Sequence, residues 1–131
     1  MDSQTPGSGA NYEHDPLSEA VIKCAFTVAN ALGSGFLEKV YENALAHELR
    51  KTGLKVEQQV GITVHYDGTV VGDYVTDLKV EGRLLIELKA CKALEDIHVA
   101  QCLNYLKATG IHTCLLINFG TPKLQIRRLS L

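Results

Sequence analysis

No stretch of this chain is apolar for long enough to cross a bilayer, and no pattern of basic start, apolar middle and small-residue cleavage site opens it. A basic excess is missing too. Thirteen Lys and Arg against 15 Asp and Glu give a net charge of −2, which excludes wholesale coating of nucleic acid and confines any such contact to a local patch. The four cysteines, Cys24, Cys91, Cys102 and Cys114, form no CxxC and sit inside apolar patterns. Buried reduced thiols and a cytoplasmic location are therefore expected, with no membrane partner. No His or Cys pair has zinc-ligand spacing. A GxSxG elbow, a GxxxxGK[ST] phosphate loop and a GxGxxG turn are all absent. Gly33-Ser34-Gly35 is too short for such a loop and follows a helix rather than a strand, so it is a turn. No internal repeat is evident.

What remains is 131 residues of ordinary globular composition, enough to bury a core without metal or disulfide staples. Residues 1–14, rich in Ser, Gly, Asn and Asp, read as a disordered lead, and residues 15–131 as one domain. Asp15 and Pro16 suit the cap and first position of a helix carrying Leu17, Ala20, Val21, Cys24, Val28, Ala31 and Leu32 at spacings of three and four. A second helix is expected over 36–51, with Gly53 as its left-handed stop. Val56, Gln58, Val60, Ile62, Val64 and Tyr66 alternate as in a strand, and Asp67-Gly68 is a hairpin turn. The next strand runs over 69–80, with a bulge or bend expected at Gly72. After a turn at Glu81-Gly82 comes a strand over 84–90. A third helix is expected over 94–109, with Ile97, Ala100, Leu103 and Leu106 facing the core and His98, Gln101 and Tyr105 on another face. The almost continuously apolar 111–119 reads as a strand covered on both sides, and 124–129 as an edge strand. The order α-α-β-β-β-α-β-β predicts a mixed sheet with helices on its faces, an α/β (α+β) class.

The segment 73–91 carries three charges among apolar and β-branched residues: Asp77 on one strand, Glu87 and Lys89 on the next. Side chains two apart share a strand face, so Glu87 and Lys89 project together, and Asp77 can reach them from a neighbour about 4.8 Å away. On a wet sheet face these charges would be a surface ion pair worth under about 1 kcal/mol. The density of Leu84-Leu85-Ile86 and Leu88 argues instead for a covered central strand, where an unpaired carboxylate is costly and needs a partner or a metal. Two carboxylates with a lysine suit Mg2+ or Mn2+ and the cleavage of a phosphodiester.

Asp77, nine residues, then Glu87-Leu88-Lys89 resembles the signature of the PD-(D/E)xK nuclease superfamily. The element order resembles that superfamily's restriction-endonuclease-like αβββαβ core, here with an extra N-terminal helix and a C-terminal edge strand. Gly35-Phe36-Leu37-Glu38-Lys39-Val40-Tyr41 is similar to the motif naming its GxxExxY family, as are 101–107 and 116–120. The resemblance covers about 17–131. It implies that Asp77 and Glu87 hold the metal with the Leu88 carbonyl, and that Glu38 joins them from its helix. Lys89 is then the catalytic lysine, with Gln101 and Tyr105 as a QxxxY pair positioning lysine or substrate. Tyr41 is left as a core aromatic or a site residue. Thr76 stands where the signature has proline, and Ala29 where the family often has histidine. The implied activity is a Mg2+-dependent (or Mn2+-dependent) nuclease acting on DNA or RNA. Lys92, Lys107, Lys123, Arg127 and Arg128 would touch the backbone, and 124–129 would offer a homodimer surface. Two other readings stand beside it: a non-catalytic protein- or nucleic-acid-binding module of the same fold, and a structural subunit whose charges form an ion-pair network.

Overall fold

Asp15 caps the first helix as its position before Pro16 requires. Its carboxylate accepts from Leu17 N (3.1 Å) and the Ser18 hydroxyl (2.9 Å), replacing partners that the free helix end lacks. The computed structural model describes residues 15–131, so the lead expected over 1–14 lies outside the described residues. Helix α1 (Pro16–Leu32) is followed by α2 (Glu38–Lys51), strands β1 (Val56–Tyr66), β2 (Thr69–Val80) and β3 (Leu84–Lys89), helix α3 (Asp96–Thr109), and strands β4 (Thr113–Asn118) and β5 (Gln125–Ser130). The sheet order is β1-β2-β3-β4-β5. All neighbours are antiparallel except β3 and β4, which the α3 crossover makes parallel. This is the expected mixed sheet with flanking helices.

The two hairpin turns are fixed by local chemistry. Asp67-Gly68, a two-residue turn, and Glu81-Gly82, which open a three-residue turn closed by Arg83, all have positive φ, the backbone that makes a turn's twist match paired strands. The predicted irregularity in β2 is real. Val64 pairs with Gly72 and His65 with Val70, leaving Val71 as the extra residue beside the glycine.

The sheet separates two cores. Leu84, Ile86 and Leu88 of β3 join Leu115 and Ile117 of β4 against α1 and α2, while Leu85, Cys114 and Leu116 face α3. Both central strands are thus covered on both sides, as their apolar runs predicted.

Three expectations need correction. Helix α2 begins at Glu38 rather than at residue 36, because Leu37 is extended and the Phe36 N–H is taken by the Tyr41 hydroxyl at 3.1 Å. Helix α3 starts at Asp96 rather than at 94, with Glu95 as its cap. On α3 the buried residues are Cys102, Tyr105 and Leu106; Ile97, expected in the core, is 70% exposed, and Ala100 is exposed too. The sheet is met instead by Val99, Cys102, Leu103, Tyr105 and Leu106, while Ile97 and Ala100 face a groove.

Candidate metal and nuclease site

The β2–β3 ladder runs from Val80↔Leu84 to Leu78↔Ile86, and beyond it side chains take over. Glu87 Oε2 accepts from the Asp77 N–H (2.9 Å) and the Thr76 hydroxyl (2.8 Å), while Asp77 Oδ2 accepts from the Leu88 N–H (2.8 Å). Each carboxylate thus supplies the acceptor that the neighbouring strand's backbone needs. The pair is held by strand geometry rather than by flexible contacts. Thr76, fully buried, spends its hydroxyl on Glu87. A proline there would lack that donor, which gives the departure at this position a structural purpose.

The bonds to Glu87 fall on Oε2 and leave its Oε1 without one, and Asp77 Oδ1 receives only a long contact from Gln59 Nε2 (3.3 Å). Negative charge is under-compensated here. Glu87 is 4% exposed, and burial, then the Asp77 charge, push its carboxyl up to about 7 against the opposing bonds from Asp77 N–H and Thr76 and the field of Lys89. Asp77 is raised by burial and by Glu42, against the Leu88 and Gln59 bonds and Lys89. Glu38, though it keeps an exposed surface, is raised by partial desolvation and then by Asp77 and Glu42, with Lys89 opposing. Glu38 and Glu87 therefore each sense Asp77, and all three sense the same lysine.

Glu38 reaches this spot through the geometry of its loop. Gly35 takes φ +115°, a conformation open to glycine. Tyr41, one turn into α2, donates its hydroxyl to Gly33 O (2.6 Å), accepts from Phe36 N and stacks on Phe119 with centroids 4.6 Å apart. Tyr41 is a core aromatic that anchors the loop, and so sets where the first residue of α2 lies.

On the opposite side, Lys89 Nζ donates to Gln101 Oε1 at 3.3 Å. Tyr105, buried one turn on, has its hydroxyl pushed up to about 12 by burial and the charges of Glu87 and Asp77, against a bond from Gln101. It stays a neutral donor at physiological pH. All six predicted site residues are brought to one region. His98, on the same predicted helix face, is instead used at the start of α3, where its Nδ1 accepts from Glu95 N (3.0 Å). Arg128 is not a free cation for a backbone contact, since it pairs with Asp15 at 3.1 Å.

Three supporting residues were given no role by the sequence reading. Glu42, 3% exposed, accepts from Lys39, Gln58 and Gln59. Gln59 holds φ +55° inside β1, a strained conformation for a residue with a side chain, and its amide spans Glu42 Oε1 (2.7 Å) and Asp77 Oδ1. Asn118, fully buried, accepts from Cys91 N and Gly120 N and donates to Cys91 O and Gln125 Oε1. With the Phe119 N to Lys89 O bond (2.8 Å), it clamps the backbone on which Lys89 sits. Gly120 belongs to the same clamp, because a Cβ there would overlap Cys91 N and O and the Ala90 carbonyl carbon. Gly120→Ala is expected to destabilise the fold by roughly 1–3 kcal/mol, read as a lower urea midpoint at unchanged slope. An unaltered midpoint would show that the loop yields without cost.

Among the described residues no group of three or more His, Cys, Asp and Glu is placed to hold a metal ion by itself. The donor set nevertheless fits a hard divalent cation. Mg2+ commonly takes one or two carboxylates and completes its shell with water and substrate oxygens, and the raised Asp77 and Glu87 carboxyls mark a place short of positive charge. Soft or nitrogen-seeking metals find no thiolate or imidazole group here.

Comparison with curated proteins returns no match. Among solved structures, the crystal structure of SSO0001 is similar, with a TM-score of 0.56 and 18% identity over 92% of this chain and 60% of that one. The chain thus spans about 60% of the length of that protein, and at this identity the likeness speaks for the fold alone. A family model for the PD-(D/E)XK nuclease superfamily matches residues 15–129, a span that contains both strands of the carboxylate pair and every element around them. The acidic pair and its lysine therefore stand within a domain of known kind: the chain belongs to the PD-(D/E)XK nuclease superfamily.

Proposed function

We propose that this protein is a Mg2+-dependent (or Mn2+-dependent) phosphodiester hydrolase acting on DNA or RNA, in the GxxExxY branch of its superfamily. The observation that carries the proposal is the reciprocal locking of Asp77 and Glu87 across β2 and β3 with Lys89 in the same field. Asp77 and Glu87, with Glu38 from α2 and the Leu88 carbonyl, are the groups that would hold the ion. A bound ion of this kind supplies Lewis acidity toward a phosphate oxygen and lowers the pKa of a bound water. The protein's own contribution is positional and electrostatic. Lys89 offers an ammonium to the negative charge that develops on the phosphate, and Gln101 orients that ammonium. Tyr105 presents a neutral hydroxyl beside them. Gln59 and Thr76 keep the carboxylates in register. Exposed Lys92, Lys107, Lys123 and Arg127 are the cations left to meet the nucleic-acid backbone.

Among the described residues no helix is long and apolar enough to cross a membrane. All four thiols are free, which supports a reducing cytoplasmic setting. A homodimer through the open edge of β5 belongs to the same proposal, and sedimentation velocity reads it directly. The net charge of −2 favours one competing reading, a binding module that keeps the fold without the chemistry. The two separate on one measurement. Single- and double-stranded DNA and RNA are incubated with the purified protein in Mg2+, Mn2+ or chelator. The proposal expects metal-dependent strand scission and a metal-dependent rise in melting temperature. At about 100 times the dissociation constant the ion adds roughly 2.7 kcal/mol. Binding that is indifferent to metal, with no scission, would establish the module instead.

A further inference from the structure

Beside the carboxylate site lies a groove of about 830 Å3 between α3 and the β1–β2 hairpin, within the size of clefts that take small organic groups, roughly 300–1,000 Å3. It is continuous with the site, because Gln101, which holds Lys89, and Tyr105 line both. Val64 and Ala108 contribute apolar wall, and Asn104 and Lys107 contribute polar and cationic groups. None of its lining residues is acidic, although acids outnumber Lys and Arg in the chain. Tyr74 stands at its side, 52% exposed, with its ring tilted against Tyr105 at a centroid distance of 5.7 Å. Gly72 opposes no bulk to that ring, and a Cβ there would lie 3.6 Å from Tyr74 Cε2. Ile97, displaced from its expected place in the core, completes the apolar rim.

We infer that this groove binds the unpaired bases of a single-stranded nucleic acid flanking the scissile phosphate, with a base stacked on Tyr74 and the backbone near Lys107. The inference rests on the nuclease reading of the adjoining site and narrows its substrate to single strands or single-stranded ends. Duplex recognition depends heavily on neutralising many phosphates, and 13 Lys and Arg against 15 Asp and Glu give no basic excess for that. Unpaired bases expose their faces to an aromatic ring, and stacking tolerates any sequence.

The test uses the Glu87→Gln protein, so that binding is read without cleavage. A short fluorescein-labelled single strand and the duplex of the same sequence are titrated by anisotropy. The single strand is expected to bind at least about tenfold more tightly. Tyr74→Ala is expected to weaken it roughly 5- to 150-fold, the worth of one stacked base, and Tyr74→Phe to leave it unchanged because the ring and not the hydroxyl is used. Equal or tighter duplex binding overturns the inference, as does single-strand binding that Tyr74→Ala leaves untouched while the variant melts like its parent. A groove that takes a protein segment would give that second result. Cleavage by the unmutated protein is scored separately. Tyr74-dependent strand binding without cleavage keeps the groove and removes the nuclease reading, whereas cleavage with Tyr74-independent binding does the reverse.

Discussion

Glu87→Gln is expected to abolish metal-dependent cleavage, by about 100-fold or more, and at the same time to make the metal-free protein more stable at pH 8. The second effect is the more diagnostic. A carboxyl held at about 7 in the folded chain against an ordinary 4.5 corresponds to roughly 3 kcal/mol at most. Its folded pKa lies above its unfolded one, so between those two values the native state binds more protons than the unfolded state. Stability must then fall as pH rises from 4.5 to 7 and stay low above. Asp77 and Glu38 are raised as well and act in the same sense. Glutamine keeps the acceptor that Thr76 and the Asp77 N–H need but has no proton to lose, so its melting temperature should be much flatter across this window. At pH 8 it should exceed the parent by roughly 5–10 °C. Divalent metal should close that gap by stabilising the parent alone. Parallel melting curves for the two proteins from pH 4.5 to 8 would show that Glu87 is not held as an uncompensated charge.

This trade of stability for charge explains what could be seen in advance and what could not. The three charges on β2 and β3 stood out because they interrupt strands whose other residues demand burial. Glu38, in contrast, looks like any flank residue of a helix until the loop before it is anchored by Tyr41 on Gly33 and Phe119. The alternation along β1 was read correctly, yet its single inward face was not one face. Val56 packs against α1 and α2 whereas Ile62, of the same parity, packs against α3. The ribbon passes from one layer to the other near Gln59, whose positive φ no periodicity encodes, and the carboxylates lie at that passage. Asn118, inside the 116–120 resemblance, was left without a role for a different reason. A lone amide ending an apolar run carries no local signal, and its four bonds are made to residues that only the folded sheet brings near. On α3 the stripe was half right: Leu103 and Leu106 pack as expected, but Val99 and Cys102 take the places expected for Ile97 and Ala100, because helix periodicity says which residues align and not which of two neighbouring stripes the sheet covers.

Lys89→Ala separates the two services that a lysine could render here. Its field opposes the raised pKa of Glu38, Asp77 and Glu87 alike, so removing it should lower the metal-free melting temperature at pH 8, where the Asp77 charge repels both Glu38 and Glu87. If counter-charge were its whole role, a divalent cation would replace it, and saturating Mg2+ or Mn2+ would restore both stability and cleavage. The geometry argues for more, because Gln101 holds the ammonium and the Asn118–Cys91 clamp fixes the backbone that bears it. We therefore expect metal to restore the melting temperature of the alanine variant, with a shift at least as large as in the parent, while cleavage stays down by about 100- to 1,000-fold. Lys89→Arg keeps the charge but carries a planar fork in place of a compact ammonium. It should recover the metal-free stability and only part of the rate. Full recovery of cleavage in either variant at saturating metal would reduce Lys89 to a structural counter-ion and leave the carboxylate pair to work without it.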